Sequence, residues 1–178
     1  MPRATYSFGE PNWETIGRWL DLDPAEDGPV WMCNLMKYRA VAAYGDDKEL
    51  ARSGREADDA YAPLGPLAAV GAMVAFYSDV TAQLAGTPAW ERIAMVRYPT
   101  RAAFFAMQER DDYKEKFVHK EAGMEFTIIM GCLPEGEPDV GAPEGEEGDL
   151  VVRVRRFAGD APPQEIEEGV VPVARFAV

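Results

Sequence analysis

The side chains here with the means to do chemistry are few, and they are legible by type and spacing. His119 is the one histidine of the chain, and histidine is the side chain whose ordinary pKa lies nearest neutrality. On an α-helix it shares a face with Glu115 at i−4 and Asp112 at i−7. A carboxylate at either position would fix its tautomer and raise its basicity, as a general base requires. The opposing reading is a solvated histidine among Lys114, Glu115, Lys116, Lys120 and Glu121. Asn34 and Arg97 each interrupt an apolar run. A buried amide needs partners, which a neighbouring backbone or a ligand can supply. A buried guanidinium needs a carboxylate or a ligand anion. Asp79, at the end of the preceding strand, is the expected internal partner of Arg97. Tyr38 shares a strand face with Asn34, and Lys37 points the other way. Tyr61 and Tyr77 suit a pocket wall or a core edge, having an apolar ring and a polar tip. Asn34, Tyr61, Tyr77 and Arg97 are therefore the expected substrate-binding residues, with His119 as the catalytic one.

Other chemistries are excluded by what the sequence lacks. One histidine removes every His-pair zinc motif, and two cysteines, Cys33 and Cys132, are too few for an all-cysteine metal site or a disulfide scaffold. There is no P-loop, no GxGxxG and no Gly-x-Ser-x-Gly. No bound cofactor or metal is expected. The formal charge of −13 argues against polyanionic partners, nucleic acid and anionic membrane alike. No apolar run approaches the roughly 20 residues of a membrane span. The first residues, Met1 to Ser7, lack the apolar centre of a signal peptide. A soluble, cytoplasmic protein with reduced cysteines is expected.

These residues need elements to place them. Trp13, Ile16, Trp19 and Leu20 are spaced for a short amphipathic helix with Asn12 as N-cap. Residues 30–38 form a short apolar run bounded by turn residues, predicting a strand buried on both faces. Ser53 and Glu56 have the capping-box spacing, and an apolar stripe (Ala57, Ala60, Tyr61, Leu64, Leu67, Ala68) follows. Pro63 and Pro66 should break or restart that helix, and Gly71 should end it. Strands are predicted over 72–80, 90–98 and 125–133. Thr100 should cap a helical stretch reaching Gly123, with a break at Asp111-Asp112. The order β-α-β-β-α-β across 30–134 predicts an α+β, ferredoxin-like domain: a four-stranded antiparallel sheet with two helices on one face. It places Cys33 and Cys132 on adjacent strands. The second sheet face also reads apolar, and a second copy of the chain would cover it, predicting a homodimer.

Residues 1–29 form an N-terminal extension carrying the short helix. In 135–149, acidic residues alternate with Gly and Pro, as in a linker. Residues 150–178 form a C-terminal arm with two strand-like pieces, 150–157 and 170–178. Pro172 confines the second to a sheet edge.

Three stretches carry a resemblance: Met32-Cys33-Asn34-Leu35-Met36-Lys37-Tyr38, Ile93 to Phe105, and Asp112-Tyr113 followed by His119-Lys120-Glu121-Ala122-Gly123. Over residues 28–134 the chain resembles the dimeric α+β barrel proteins, in particular the family called domain of unknown function 1330. The resemblance implies two sheets paired face to face with helices outside, and a ligand held between the sheet and the helices of each subunit. It implies chemistry drawn from cofactor-free oxygenation, cyclisation, isomerisation and haem-dependent reactions, without choosing among them. Three functions follow: a cofactor-free enzyme on an aromatic or polyketide-like molecule, a non-catalytic binding or assembly module, and a haem protein with His119 as axial ligand.

Overall fold

The computed structural model describes residues 8–45, 52–134 and 176–177. Helix α1 (Trp13–Leu20) begins where the Asn12 side chain accepts a hydrogen bond from the Thr15 N–H. Strand β1 (Val30–Tyr38) follows. Helix α2 (Gly54–Tyr61) carries the full capping box: the Glu56 N–H donates to Ser53 Oγ, and the Ser53 N–H donates to Glu56 Oε2. It stops before Pro63, and α3 (Leu64–Ala69) restarts. Pro66 does not break α3, because it lies in the first turn, where a missing N–H costs nothing. Gly71 leaves the helix at φ +72°. Strands β2 (Met73–Asp79) and β3 (Arg92–Tyr98) form a hairpin. β3 thus starts two residues later than the sequence suggests.

Helix α4 (Arg101–Glu109) is capped twice. Thr100 Oγ1 accepts from the Ala103 N–H, and the Asp27 carboxylate accepts from the Arg101 and Ala102 N–H groups. Helix α5 (Asp111–Gly123) follows after Arg110. Asp111 and Asp112 therefore open the second helix instead of interrupting one. That position suits them, since negative charge is favoured in a first turn. Strand β4 (Met124–Pro134) closes the sequence of core elements. The two-residue strand β5 (Phe176–Ala177) pairs with Leu133–Pro134. The remainder of the expected arm and the whole of the acidic 135–149 stretch lie outside the described residues.

The architecture is α+β, with neighbouring strands antiparallel in the order β2-β3-β1-β4-β5. Two apolar layers result. On the helix side, Val30, Met32 and Tyr98 pack with Leu67, Met107 and Tyr113 from α3, α4 and α5. On the opposite side, Trp31, Cys33, Ile93 and Cys132 form a second buried cluster. These four are buried within the single chain. At one end of that side Phe8 packs against Phe126 and Trp90. Cys33 and Cys132 lie on adjacent strands, in register with Met130 and Trp31, and both are free thiols.

Two glycine contacts fix the helices. Gly54 on α2 and Gly123 on α5 meet backbone to backbone, so a Cβ on Gly54 would overlap the Gly123 and Arg39 backbones. The Trp19 ring of α1 covers Gly131 of β4, where a Cβ would overlap it. Trp13, by contrast, is 72% exposed, and Leu20 is exposed too. The expected apolar face of α1 is therefore only partly buried. No helix among the described residues is long and apolar enough to cross a membrane.

Candidate functional site

Strand register decides which side chains share the space under the helices. Met36, Arg92 and Asp79 form one row across β1, β3 and β2, and Asn34, Ala94 and Tyr77 form the next. Both rows lie on the helix side, because paired residues share a face and side chains alternate along a strand from Val30 and Met32. Ile129, opposite Asn34 on β4, is 43% exposed. The roof over this floor is therefore incomplete near Asn34.

Arg92 anchors the first row. Its guanidinium donates to three carboxylates: Nη1 to Asp58 Oδ2 at 3.0 Å and Asp59 Oδ1 at 2.7 Å, and Nε to Asp79 Oδ1 at 2.9 Å. Asp58 also accepts from the Tyr38 hydroxyl at 2.6 Å. The side chains of Arg92 and Asp58 are each only 4% exposed. The Tyr77 and Tyr38 rings lie 4.6 Å and 5.5 Å from the guanidinium carbon, within cation–π range. Burial works against the Arg92 charge, but its hydrogen bonds to Asp59, Asp79 and Asp58 outweigh it and hold its pKa above the ordinary value. Burial and then the carboxylate of Asp58 push the Tyr77 hydroxyl up to about 12. Burial, then the bond to Asp58, raises Tyr38 further. Two of these three carboxylates, Asp58 and Asp59, stand on α2, so this network holds α2 to the sheet.

Lys120 differs. Tyr113, Phe117 and Lys120 follow the i, i+4, i+7 spacing that turns one face of α5 inward, and Lys120 is 9% exposed. Among the described residues its ammonium makes no ion pair and no hydrogen bond. Its contact is the face of Tyr61, with Nζ 5.1 Å from the ring centroid. Burial lowers its pKa, and the nearby Asp58 charge opposes that only in part. The fully enclosed side-chain polar atom without a partner, among the described residues, is Thr127 Oγ1. The Lys120 nitrogen is thus not sealed off. The Tyr61 hydroxyl donates to Tyr113 Oη at 3.4 Å. Burial first, then Tyr113, raises the Tyr61 pKa, so the phenol stays protonated.

The residues picked out from the sequence separate. Asn34 and Tyr77 lie on the helix side of the sheet, and Tyr61 stands on α2. Asn34 Nδ2 donates to the Met32 carbonyl at 3.0 Å, the backbone bond weighed as its ordinary fate. Arg97 is not brought to them. It pairs in register with Trp31 and Met73, on the opposite face, and the partner of Asp79 is Arg92 instead. Arg92 and Arg97 are five residues apart on one strand, so only one can face the helices.

His119 is half-buried at the outer edge of α5. Its Nδ1 meets the Tyr44 hydroxyl at 2.7 Å, in place of the expected Glu115 or Asp112 carboxylate. Burial, Arg52 and Lys116 lower its pKa. The 39–45 loop that brings Tyr44 is tied to the end of α5 by bonds from the Arg39 and Ala43 N–H groups to the Gly123 and Ala122 carbonyls.

Asp58, Arg92 and Lys120 were not singled out from the sequence. The signal for Lys120 was its place at i+7 from Tyr113 on the inward stripe. The signal for Asp58 was its place beside Ala57, one turn before Tyr61.

With the site described, comparison with known proteins finds no matching family model and no matching curated protein. Among solved structures, the chain is similar to RPA0582, a protein of unknown function from Rhodopseudomonas palustris. The two are 26% identical with a TM-score of 0.60, over 71% of this chain and 95% of that one. The structure of the methylated RPA0582 protein is similar at 29% identity and a TM-score of 0.60, over 72% of this chain and 96% of that one. The shared region supports the α+β fold and carries no named function.

Proposed function

We propose that this protein holds a small, uncharged, mostly apolar or aromatic molecule between the helix side of the sheet and helices α2 and α5, and acts on it by proton transfer without a cofactor. The observation that carries this reading is Lys120. An ammonium buried without a carboxylate bond is costly, and such groups concentrate where a protein needs a base or nucleophile near neutral pH. Tyr61 and Tyr113 beside it supply a protonated hydroxyl pair, and Asn34 supplies an amide from the floor. The order β2-β3-β1-β4, with helix pairs joining β1 to β2 and β3 to β4, supports a ferredoxin-like domain of the dimeric α+β barrel type. It is compatible with kinship to domain of unknown function 1330.

A homodimer is part of the same proposal. Its support is the edge strand β2, where Met73 and Val74 are exposed. Light scattering on the full chain should give twice the 19.6 kDa protomer mass, and a monomer at micromolar concentration would remove the dimer.

The functional reading is tested by native mass spectrometry of the full chain with a panel of aromatic and polyketide-like compounds, followed by turnover of any that bind. A one-to-one complex that is lost in Lys120→Met is expected. A complex with no turnover would leave a binding module. No complex with any of the panel would refute the small-molecule site.

A further inference from the structure

We infer that Lys120 forms an imine with a carbonyl compound, an aromatic or otherwise apolar aldehyde or ketone; this rests on the small-molecule reading and names its substrate class. The geometry supplies three conditions. First, the amine is buried yet not sealed, and no carboxylate is bonded to it among the described residues. A lysine in such a setting loses its proton more readily, and the neutral amine is the nucleophile. Second, the surroundings favour an uncharged partner. The carboxylate whose charge reaches Lys120 is Asp58, and it is already engaged by Arg92 and by the Tyr38 hydroxyl. An anionic ligand would meet the Asp58 charge there, and Arg92 is already held by three carboxylates. Third, the walls are aromatic: Tyr61 faces Nζ, and Tyr113 and Phe117 pack against Tyr61.

The step balances without an oxidant or reductant. The Nζ lone pair attacks the carbonyl carbon, and the C=O π electrons move to oxygen. A proton passes from nitrogen to that oxygen, giving a carbinolamine. The nitrogen lone pair then forms C=N as the hydroxyl leaves with a proton as water, and the imine remains.

The test uses the full-length protein, 4-hydroxybenzaldehyde as probe and cyanoborohydride to reduce any imine to a stable secondary amine. The modified lysine is located by peptide mass mapping. The other lysines, Lys37, Lys48, Lys114 and Lys116, are internal references. At neutral pH, Lys120 should be modified faster than the exposed Lys114, since lowering an amine's pKa raises its neutral fraction. Lys120→Arg should abolish that modification while far-ultraviolet circular dichroism stays unchanged. Native mass spectrometry with 4-hydroxybenzyl alcohol, which lacks the carbonyl, separates binding from bond formation. If the alcohol binds and Lys120 is not modified preferentially, the imine is refuted and the binding reading stands. If the alcohol does not bind and Lys120 reacts no faster than Lys114, both fall. Modification of Lys120 only after denaturation also overturns the inference.

Discussion

Replacing Asp58 with asparagine tests whether the Arg92 network holds α2 to the sheet. Asn keeps the shape of the side chain and removes its charge. Arg92 and Asp58 are a buried pair, and removing one member of such a pair costs about 3–5 kcal/mol, because the other charge stays buried. Arg92 would keep Asp59 and Asp79, whose side chains are 55% and 40% exposed. The lower end, about 3 kcal/mol, is therefore expected. At roughly 2–4 °C per kcal/mol for a chain of this size, the midpoint should fall by about 6–12 °C. The assay is urea and thermal denaturation followed by circular dichroism, with Asp59→Asn and Asp79→Asn measured alongside. Those two half-exposed carboxylates should each cost about 1 kcal/mol or less. Combining Asp58→Asn with Arg92→Met should cost less than the sum of the two single variants, since it removes both charges. If Asp58→Asn costs no more than Asp59→Asn, the burial of the pair does not set its energetics and the reasoning fails.

Lys120 has a pKa lower in the folded chain than its ordinary value of 10.5. The unfolded chain therefore binds more protons between the two values, and stability rises with pH across that window. Lys120→Met should remove this rise, as denaturation midpoints at neutral and alkaline pH would show; equal slopes in the two proteins would contradict it. Gly54→Ala should destabilise the fold by about 3 kcal/mol or more, because the new Cβ overlaps backbone that has no room to yield. Gly17→Ala on α1, where nothing lies within 4 Å, should instead stabilise by about 0.5–1 kcal/mol; similar denaturation curves for the two variants would refute the close helix crossing. Burial, then Cys132, pushes the Cys33 thiol up to about 12, so a disulfide reagent at neutral pH should label Cys33 only as the chain unfolds. Fast labelling of the native protein would show that the far face of the sheet is open.

The elements and most of their ends are legible from the residues alone. Local rules act there: an apolar run makes β1, the Ser53–Glu56 pair starts α2, and Pro63 ends it. Chain order also predicted that β1 and β4 are neighbours, which brings Cys33 and Cys132 to adjacent strands. Which face each polar residue meets depends instead on the packing of the layers. Arg92 and Arg97 look alike in sequence, yet a difference of five along a strand sends them to opposite sides. Register across three strands gives Asp79 to Arg92. Lys120 reads as one more charge in a charged helix until α5 is docked on α2 through Gly54 and Gly123, which buries its ammonium against Tyr61. His119, one residue earlier, is turned about 100° away by the helix. It meets Tyr44, brought from 75 residues away by the 39–45 loop. Neighbours in sequence set a helix or a strand, but a side chain's chemistry follows from partners distant in the chain, and these exist only once the layers have packed.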